Sequence, residues 1–400
     1  MPRRSHLTIA ALAAAIMLTV ACGPSTATDA VVGQASTPTT KAIDDTASSS
    51  NGRLFVGSVA SLTGSGQPYG ISQIDGTMLA IEFEAEPTGY PIEFDSLDDS
   101  SDADAGVSAF GTLIERGASV IVGPTLSPVA AVADPLAQAV GVPVLAVTNT
   151  TLDISAIGEC IWRISLSERA MLPQGLAAAQ DLRGVRSAVL VSDATDDYST
   201  GAAAAFRTAA EQTGVTLLDD VTFDPATLDP AGYRSVISSA VESNPDAILL
   251  AARSRPAVDL LGAIDQLDLA ETIVGSNGFN TPEVLAEAGA AADGLIVTAS
   301  WNPAIDVTAS KTFIERYTTR FLRQPDSFAA QSYAGIEVLI AAVSAGGGTS
   351  RQAIADGLAK LDEVDTVLGT LSFVDNEAVY PAAIQVVANG RFELLARGRP

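Results

Sequence analysis

Leu54-Phe55-Val56-Gly57-Ser58-Val59-Ala60 runs into Ser61-Leu62-Thr63-Gly64-Ser65-Gly66-Gln67-Pro68-Tyr69-Gly70, and a helical pattern follows over residues 72–86. The first seven residues form a short apolar, β-rich run, and the glycines after it mark a sharp turn. Ile74, Met78 and Ile81 then recur at helical spacing and keep one face apolar. This strand, turn and helix set a beat that the rest of the chain keeps. Further strands are expected at 91–96, 119–122, 142–147, 187–192, 215–221, 247–252, 272–275 and 295–299. Helices are expected at 103–116, 127–139, 169–182, 200–213, 230–243, 255–268, 308–322 and 328–344. Strand and helix alternating this often predict an α/β protein with parallel sheets wrapped by helices on both faces. The uninterrupted run Ala247-Ile248-Leu249-Leu250 fits, because such strands are buried on both sides.

Ligands of these sheets bind beyond the carboxyl ends of the strands, so the loops there are the first candidates. After the first strand, Gly64, Gly66 and Gly70 approach a dinucleotide fingerprint, with Asp95 ending the next strand. The third glycine falls one position late, which favours a loop that bends sharply beside a small ligand. After the third strand, Gly123-Pro124-Thr125-Leu126-Ser127-Pro128 opens a helix, with Ser127 as the expected N-cap and Pro128 first in the helix. Free N–H groups at such an end attract an anion such as a carboxylate. After the fourth strand, Thr148-Asn149-Thr150-Thr151 supplies hydroxyl and amide groups.

Composition removes whole mechanisms. The only histidine is His6, and the only cysteines are Cys22 and Cys160. Beyond residue 6 no imidazole is available for a Ser-His-Asp or Cys-His nucleophile system, and a zinc site has little to draw on. Lysines are equally scarce: Lys41, Lys311 and Lys360. Cys160 reads as a small buried hydrophobe. The acidic stretch Asp95, Asp98, Asp99, Asp102, Asp104 is calcium-like in composition only, since it lacks the ordered spacing and glycine turn of a calcium loop. No metal or cofactor is therefore expected. The formal charge of -25 repels phosphate backbones, so nucleic acid is not an expected partner.

The first residues read as an export leader. Arg3 and Arg4 precede an apolar run from Leu7 to Val20, followed by Ala21-Cys22-Gly23 and a Ser/Thr-rich tail. The run is shorter than the roughly 20 apolar residues a membrane span needs. Ala21-Cys22 resembles the lipobox of bacterial lipoproteins, with Leu18 and Thr19 departing from its usual register. On this reading residues 1–21 are a signal peptide and Cys22 carries lipid; cleavage without lipidation is the alternative. Loss of Arg3 and Arg4 takes the charge from -25 to -27. Residues 22–52 have no periodicity and read as a tether. About 350 residues remain, enough for two cores.

Read in order, several segments together resemble the leucine/isoleucine/valine-type (type I) periplasmic binding proteins. They are Leu62-Thr63-Gly64 with Tyr69-Gly70, Gly76, Asp98-Asp99, Gly123-Pro124, Gly141-Val142-Pro143 and Trp162-Arg163. The series continues through Asp197-Tyr198 with Gly201, Asn244-Pro245-Asp246-Ala247, Ser332-Tyr333-Ala334 and Gly369-Thr370-Leu371-Ser372-Phe373. The resemblance implies two doubly wound lobes joined by three hinge crossovers, closing on a ligand. Lobe one would be 53–165 plus 300–368, and lobe two 166–299 plus 369–400. It places the carboxylate-holding serine on Ser127, the pair after the fourth strand on Thr150 and Thr151 beside Asn149, and ligand-covering aromatics on Tyr69 and Tyr198. Two departures bear on the ligand. Asn277 stands where amino-acid binders carry an acid for the α-ammonium, and Arg253 and Arg255 occupy a loop where an aromatic is expected. Either arginine would suit an anionic or amide-bearing ligand.

The expected protein is a monomeric, lipid-anchored, extracytoplasmic solute-binding protein. It would trap an amino acid, amide or related carboxylate for the membrane permease of an ABC importer, with no catalytic residues. Two other classes fit the composition: a ligand-sensing module for a membrane signalling partner, and a secreted hydrolase built on paired carboxylates.

Overall fold

Alternating buried strands and one-faced helices fold into layers, because each strand needs cover on both faces. The structure is a computed structural model that describes residues 52–85 and 89–399. The leader, Cys22 and the tether expected at 22–52 lie outside the described residues, save Gly52. A first run comprises β1 (Leu54–Ala60), α1 (Gln67–Glu84), β2 (Ile92–Asp98), α2 (Ala103–Glu115), β3 (Val120–Val122), α3 (Ser127–Ala139), β4 (Val144–Ala146) and β5 (Ile161–Arg163). A second comprises α4 (Glu168–Arg183), β6 (Ser187–Asp193), α5 (Asp197–Thr213), β7 (Thr216–Phe223), α6 (Pro230–Ala240), β8 (Ala247–Ala251), α7 (Ser254–Gln266), β9 (Thr272–Gly275), α8 (Pro282–Ala288) and β10 (Ile296–Ala299). The chain then adds α9 (Thr308–Phe321), α10 (Ser327–Gly346), α11 (Arg351–Leu358), β11 (Glu363–Thr366), β12 (Gly369–Val374), β13 (Glu377–Val379), β14 (Ala383–Ala388) and β15 (Arg391–Arg397).

Two sheets result. The first has the order β11-β12-β13-β5-β4-β3-β1-β2 and the second β15-β14-β10-β9-β8-β6-β7. Both are parallel through their centres and gain antiparallel strands at one edge from the end of the chain. Strands β12 and β13 pair within the first sheet, so the third passage between sheets falls at residues 380–382. The expected lobe boundary at 369 is therefore too early, because strand pairing rather than the end of the helical region decides membership. The other two passages lie between β5 and α4 and between β10 and α9.

Several elements depart from the sequence expectation for local reasons. Helix α1 begins at Gln67, five residues early, with Pro68 in its first turn, so Tyr69 rides on a helix rather than a loop. Helix α3 has Leu126 at its N-cap and Ser127 inside the first turn, correcting the N-cap role expected for Ser127. The three-residue β5 and the short helices α8 and α11 show too little of a period to stand out in the sequence. Helix α10 is apolar on nearly all sides because it is buried between α1 and α11 as a core helix. Cys160 is buried and free, as a small core side chain would be.

Helices α1 and α10 approach closely at Gly76, where a Cβ would stand 2.1 Å from the Ala329 carbonyl oxygen. A Gly76→Ala substitution is expected to force these helices apart at a cost of about 1–3 kcal/mol. Urea unfolding should show a lower midpoint at unchanged slope; an unaltered midpoint would refute the contact.

Candidate functional site

The carboxyl ends of β1, β3 and β4 in one sheet and β6, β8 and β9 in the other deliver their loops to one cavity. Tyr69, Leu126 and Phe328 form its apolar wall on the first-lobe side, with Tyr69 packed edge-on against Phe328 at 5.0 Å between ring centroids. Ser127, Thr148 and Thr150 add hydroxyl-bearing residues from the same side. Tyr198, Arg253, Asn277 and Gly278 face them from the second lobe. The cavity volume is about 30 Å³, room for roughly two waters. A larger guest requires the walls to part.

One hydroxyl joins the two walls. Tyr69 Oη accepts from Ser254 N at 3.1 Å and donates to the Gly278 carbonyl at 3.3 Å, although Tyr69 belongs to α1 and both partners lie beyond strands of the second sheet. Gly278 is required there, since a Cβ would stand 2.1 Å from Ala252 O and 3.1 Å from the Tyr198 ring. The N-terminus of α3 opens on the cavity beside Ser127. First-turn N–H groups lack intrahelical acceptors and favour an anion. The hydroxyls of Ser127 and Thr150 make no hydrogen bond within the described residues, whereas Thr148 Oγ1 is spent on Thr125 O at 2.7 Å.

The second-lobe side is more tightly tied. Tyr198 presents its ring to the cavity and turns its hydroxyl inward, donating to Glu168 Oε1 at 2.7 Å and accepting from Gly278 N at 2.6 Å. The Asn277 backbone N–H also donates to Glu168 Oε1, at 3.1 Å. Burial pushes the Glu168 carboxyl up to about 7, against the lowering effect of those two bonds. Arg253 lies 5.4 Å from the centroid of the Tyr198 ring, and its Nε and Nη2 both meet Asp196 Oδ1. Asp196 is itself anchored as the N-cap of α5. The remaining Arg253 nitrogen, Nη1, has no partner among the described residues. No acidic side chain lines the cavity among the described residues.

Of the residues expected from sequence, Tyr69, Ser127, Thr150, Tyr198, Arg253 and Asn277 converge on this cavity. Asn149 and Thr151 do not. Asn149 is fully buried with its amide turned to Thr125 O, and Thr151 sits beside Gly201 of α5. The chain bends at 147–148 and again at 151, so these consecutive side chains do not share one direction. Arg255 is exposed and paired with Glu287 and Asp259, a rim residue. Phe328, Gly278 and Glu168 were not foreseen. Phe328 opens a helix that reads as core, and an acid at a helix start reads as a complement to the helix dipole.

Comparison with known proteins identifies the family and shows where the fold recurs. The family model for periplasmic binding proteins matches residues 53–391, and the chain belongs to that family. It is 25% identical over 327 residues to the Leu/Ile/Val-binding protein BraC3 of Rhizobium johnstonii, covering 80% of this chain and 87% of that one. The fold is shared with the branched-chain amino acid transporter substrate-binding protein LivJ from Streptococcus pneumoniae, solved with isoleucine (TM-score 0.79, 24% identity, 87% of this chain and 100% of that one). It is also shared with an ABC transporter solute-binding protein from R. palustris solved with benzoate (TM-score 0.77, 20% identity, 87% and 97% covered).

Because the folded carboxyl of Glu168 titrates near 7, above its unfolded value of 4.5, the native state binds this proton more tightly between those two pH values. The stability it contributes is complete below about 4.5 and is lost as pH rises through about 7, by at most roughly 3 kcal/mol. Glu168→Gln keeps an acceptor for Tyr198 but cannot ionise. Urea unfolding between pH 4.5 and 8 should therefore show a shallower decline in the variant; parallel declines would refute the assignment.

Proposed function

We propose that this protein is the substrate-binding component of an ABC importer, exported and held on the outer face of the cytoplasmic membrane by lipid on Cys22. It captures a small carboxylate between its two lobes and presents it to the permease. Family membership, the leader sequence and the residues converging on the cleft support this reading. Ser127, Thr150 and the α3 N-terminus offer free donors to the carboxylate, and Arg253 adds positive charge. Tyr69, Phe328 and the Tyr198 ring surround the apolar body and exclude water. No bond is broken; the ligand gains contacts from both lobes only when they close, so it shifts the open–closed equilibrium by that difference.

The observation that carries the ligand class is the charge lining the cavity: one arginine and no acid. Asn277 can accept a hydrogen bond from an ammonium but cannot neutralise it, and Glu168, whose Oε1 accepts from Tyr198 and Asn277 N, does not line the cavity. A carboxylate without an amino group therefore suits the site better than a zwitterion.

Calorimetry with benzoate, 4-methyl-2-oxopentanoate and leucine tests this. At least one amine-free carboxylate should bind roughly tenfold or more tightly than leucine, in line with ~1.5–3 kcal/mol for a charge-assisted hydrogen bond. Ser127→Ala should weaken that binding by about tenfold. Tighter binding of leucine would overturn the ligand class. No binding of any small carboxylate, amide or amino acid by folded protein would overturn the solute-binding role.

A further inference from the structure

A second cavity, of about 380 Å³, lies between the lobes and shares no residue with the first. That is within the size range of small-molecule sites, whereas the cleft cavity is far smaller. Leu285 and Phe392 of the second lobe and Trp301 of the second crossover give it mostly apolar walls. Pro282, Pro303 and Pro325 also line it, and their locked backbone angles make those stretches of wall stiff in advance of any guest.

The polar groups of this cavity are distributed unevenly. Asn302 Nδ2 donates to Gln385 Oε1 at 2.8 Å and to Phe392 O at 3.0 Å, and Gln385 Nε2 donates to Asn280 Oδ1 at 2.6 Å. These buried amides satisfy one another and have little left to offer a ligand. Asp326 is likewise consumed: it accepts from Ser72 Oγ and from Ala329 N as the cap of α10, and burial raises its pKa. Arg323 pairs with Asp75 at 2.6 Å and lies over the Tyr317 ring. Arg391 is different: it lines the cavity, is exposed, and has no ion pair or side-chain hydrogen bond among the described residues.

We propose that this cavity is a second ligand site, for a small molecule with an apolar body and a single carboxylate, the body held by Leu285, Trp301 and Phe392 and the carboxylate met by Arg391. This goes beyond the cleft reading and does not depend on it. A guest here touches residues of both lobes and of a crossover, so its binding free energy depends on how the lobes are disposed.

Trp301 provides the readout, since Trp162 is the only other tryptophan. In a Trp162→Phe protein, hexanoate should change Trp301 emission saturably, and 1-hexanol should bind roughly tenfold or more weakly for want of the charge-assisted bond. Arg391→Ala should weaken hexanoate by a similar factor, and Leu285→Phe, which fills the cavity from a partly exposed position, should abolish the response. Arg255→Ala, at an exposed arginine that lines neither cavity, should leave it unchanged. Should Trp162→Phe fail to fold, calorimetry on the chain with both tryptophans supplies the affinity as the hexanoate binding that Arg391→Ala removes and Ser127→Ala retains. The proposal is overturned if hexanoate gives no saturable binding, if Arg391→Ala and Leu285→Phe bind it as well as the parent, or if Ser127→Ala abolishes binding.

Discussion

The three strands of chain that pass between the sheets are hydrogen-bonded to one another, and the position of everything else follows from that. Tyr380 Oη donates to Ile164 O at 2.9 Å, joining the third passage to the first, and Leu166 N donates to Ser300 Oγ at 3.2 Å, joining the first to the second. Trp301 N then donates to Ser327 Oγ, tying the second passage to the start of α10. These groups are buried, where a lost partner costs about 1–3 kcal/mol. Each half keeps its own core, yet the carboxyl ends of both sheets face a common gap.

Within that gap the protein spends most of its polar groups on itself. Tyr198, Glu168 Oε1 and the Asn277 and Gly278 amides bond to one another, and Arg253 is steadied by Asp196. What remains is a short inventory of donors: Ser127, Thr150 and the α3 N-terminus on the first-lobe wall and Arg253 Nη1 on the second. A surround with few free groups is what orients a small ligand, because once the walls part to admit it the side chains already held by one another need little ordering of their own.

Much of this was legible in the sequence. The strand at 54–60 coincides with β1, that at 272–275 with β9, and the helix at 127–139 with α3, because buried strands and amphipathic helices of that length declare their period. Ser127 was legible because loops after parallel strands converge, and Tyr198 and Asn277 through the resemblance to the periplasmic binding proteins. Direction within a loop was not. Asn149 and Thr151 flank Thr150 yet leave the cavity, and that depends on backbone angles no pattern of residue types encodes. Glu168 was hidden for a related reason: its partner Tyr198 lies thirty residues away, and only the folded sheet brings them together.

The last forty or so residues supply edge strands to both halves: β11 to β13 flank β5, and β14 and β15 flank β10. Neither sheet can therefore be finished before residues 363–397 have been made, however early its centre assembles. Until those strands arrive, β5 and β10 each present an open row of backbone donors and acceptors, the kind of surface that recruits other chains. A premature stop anywhere before Glu363 would leave both edges bare at once, so the two halves share one vulnerability during biogenesis although each encloses its own interior.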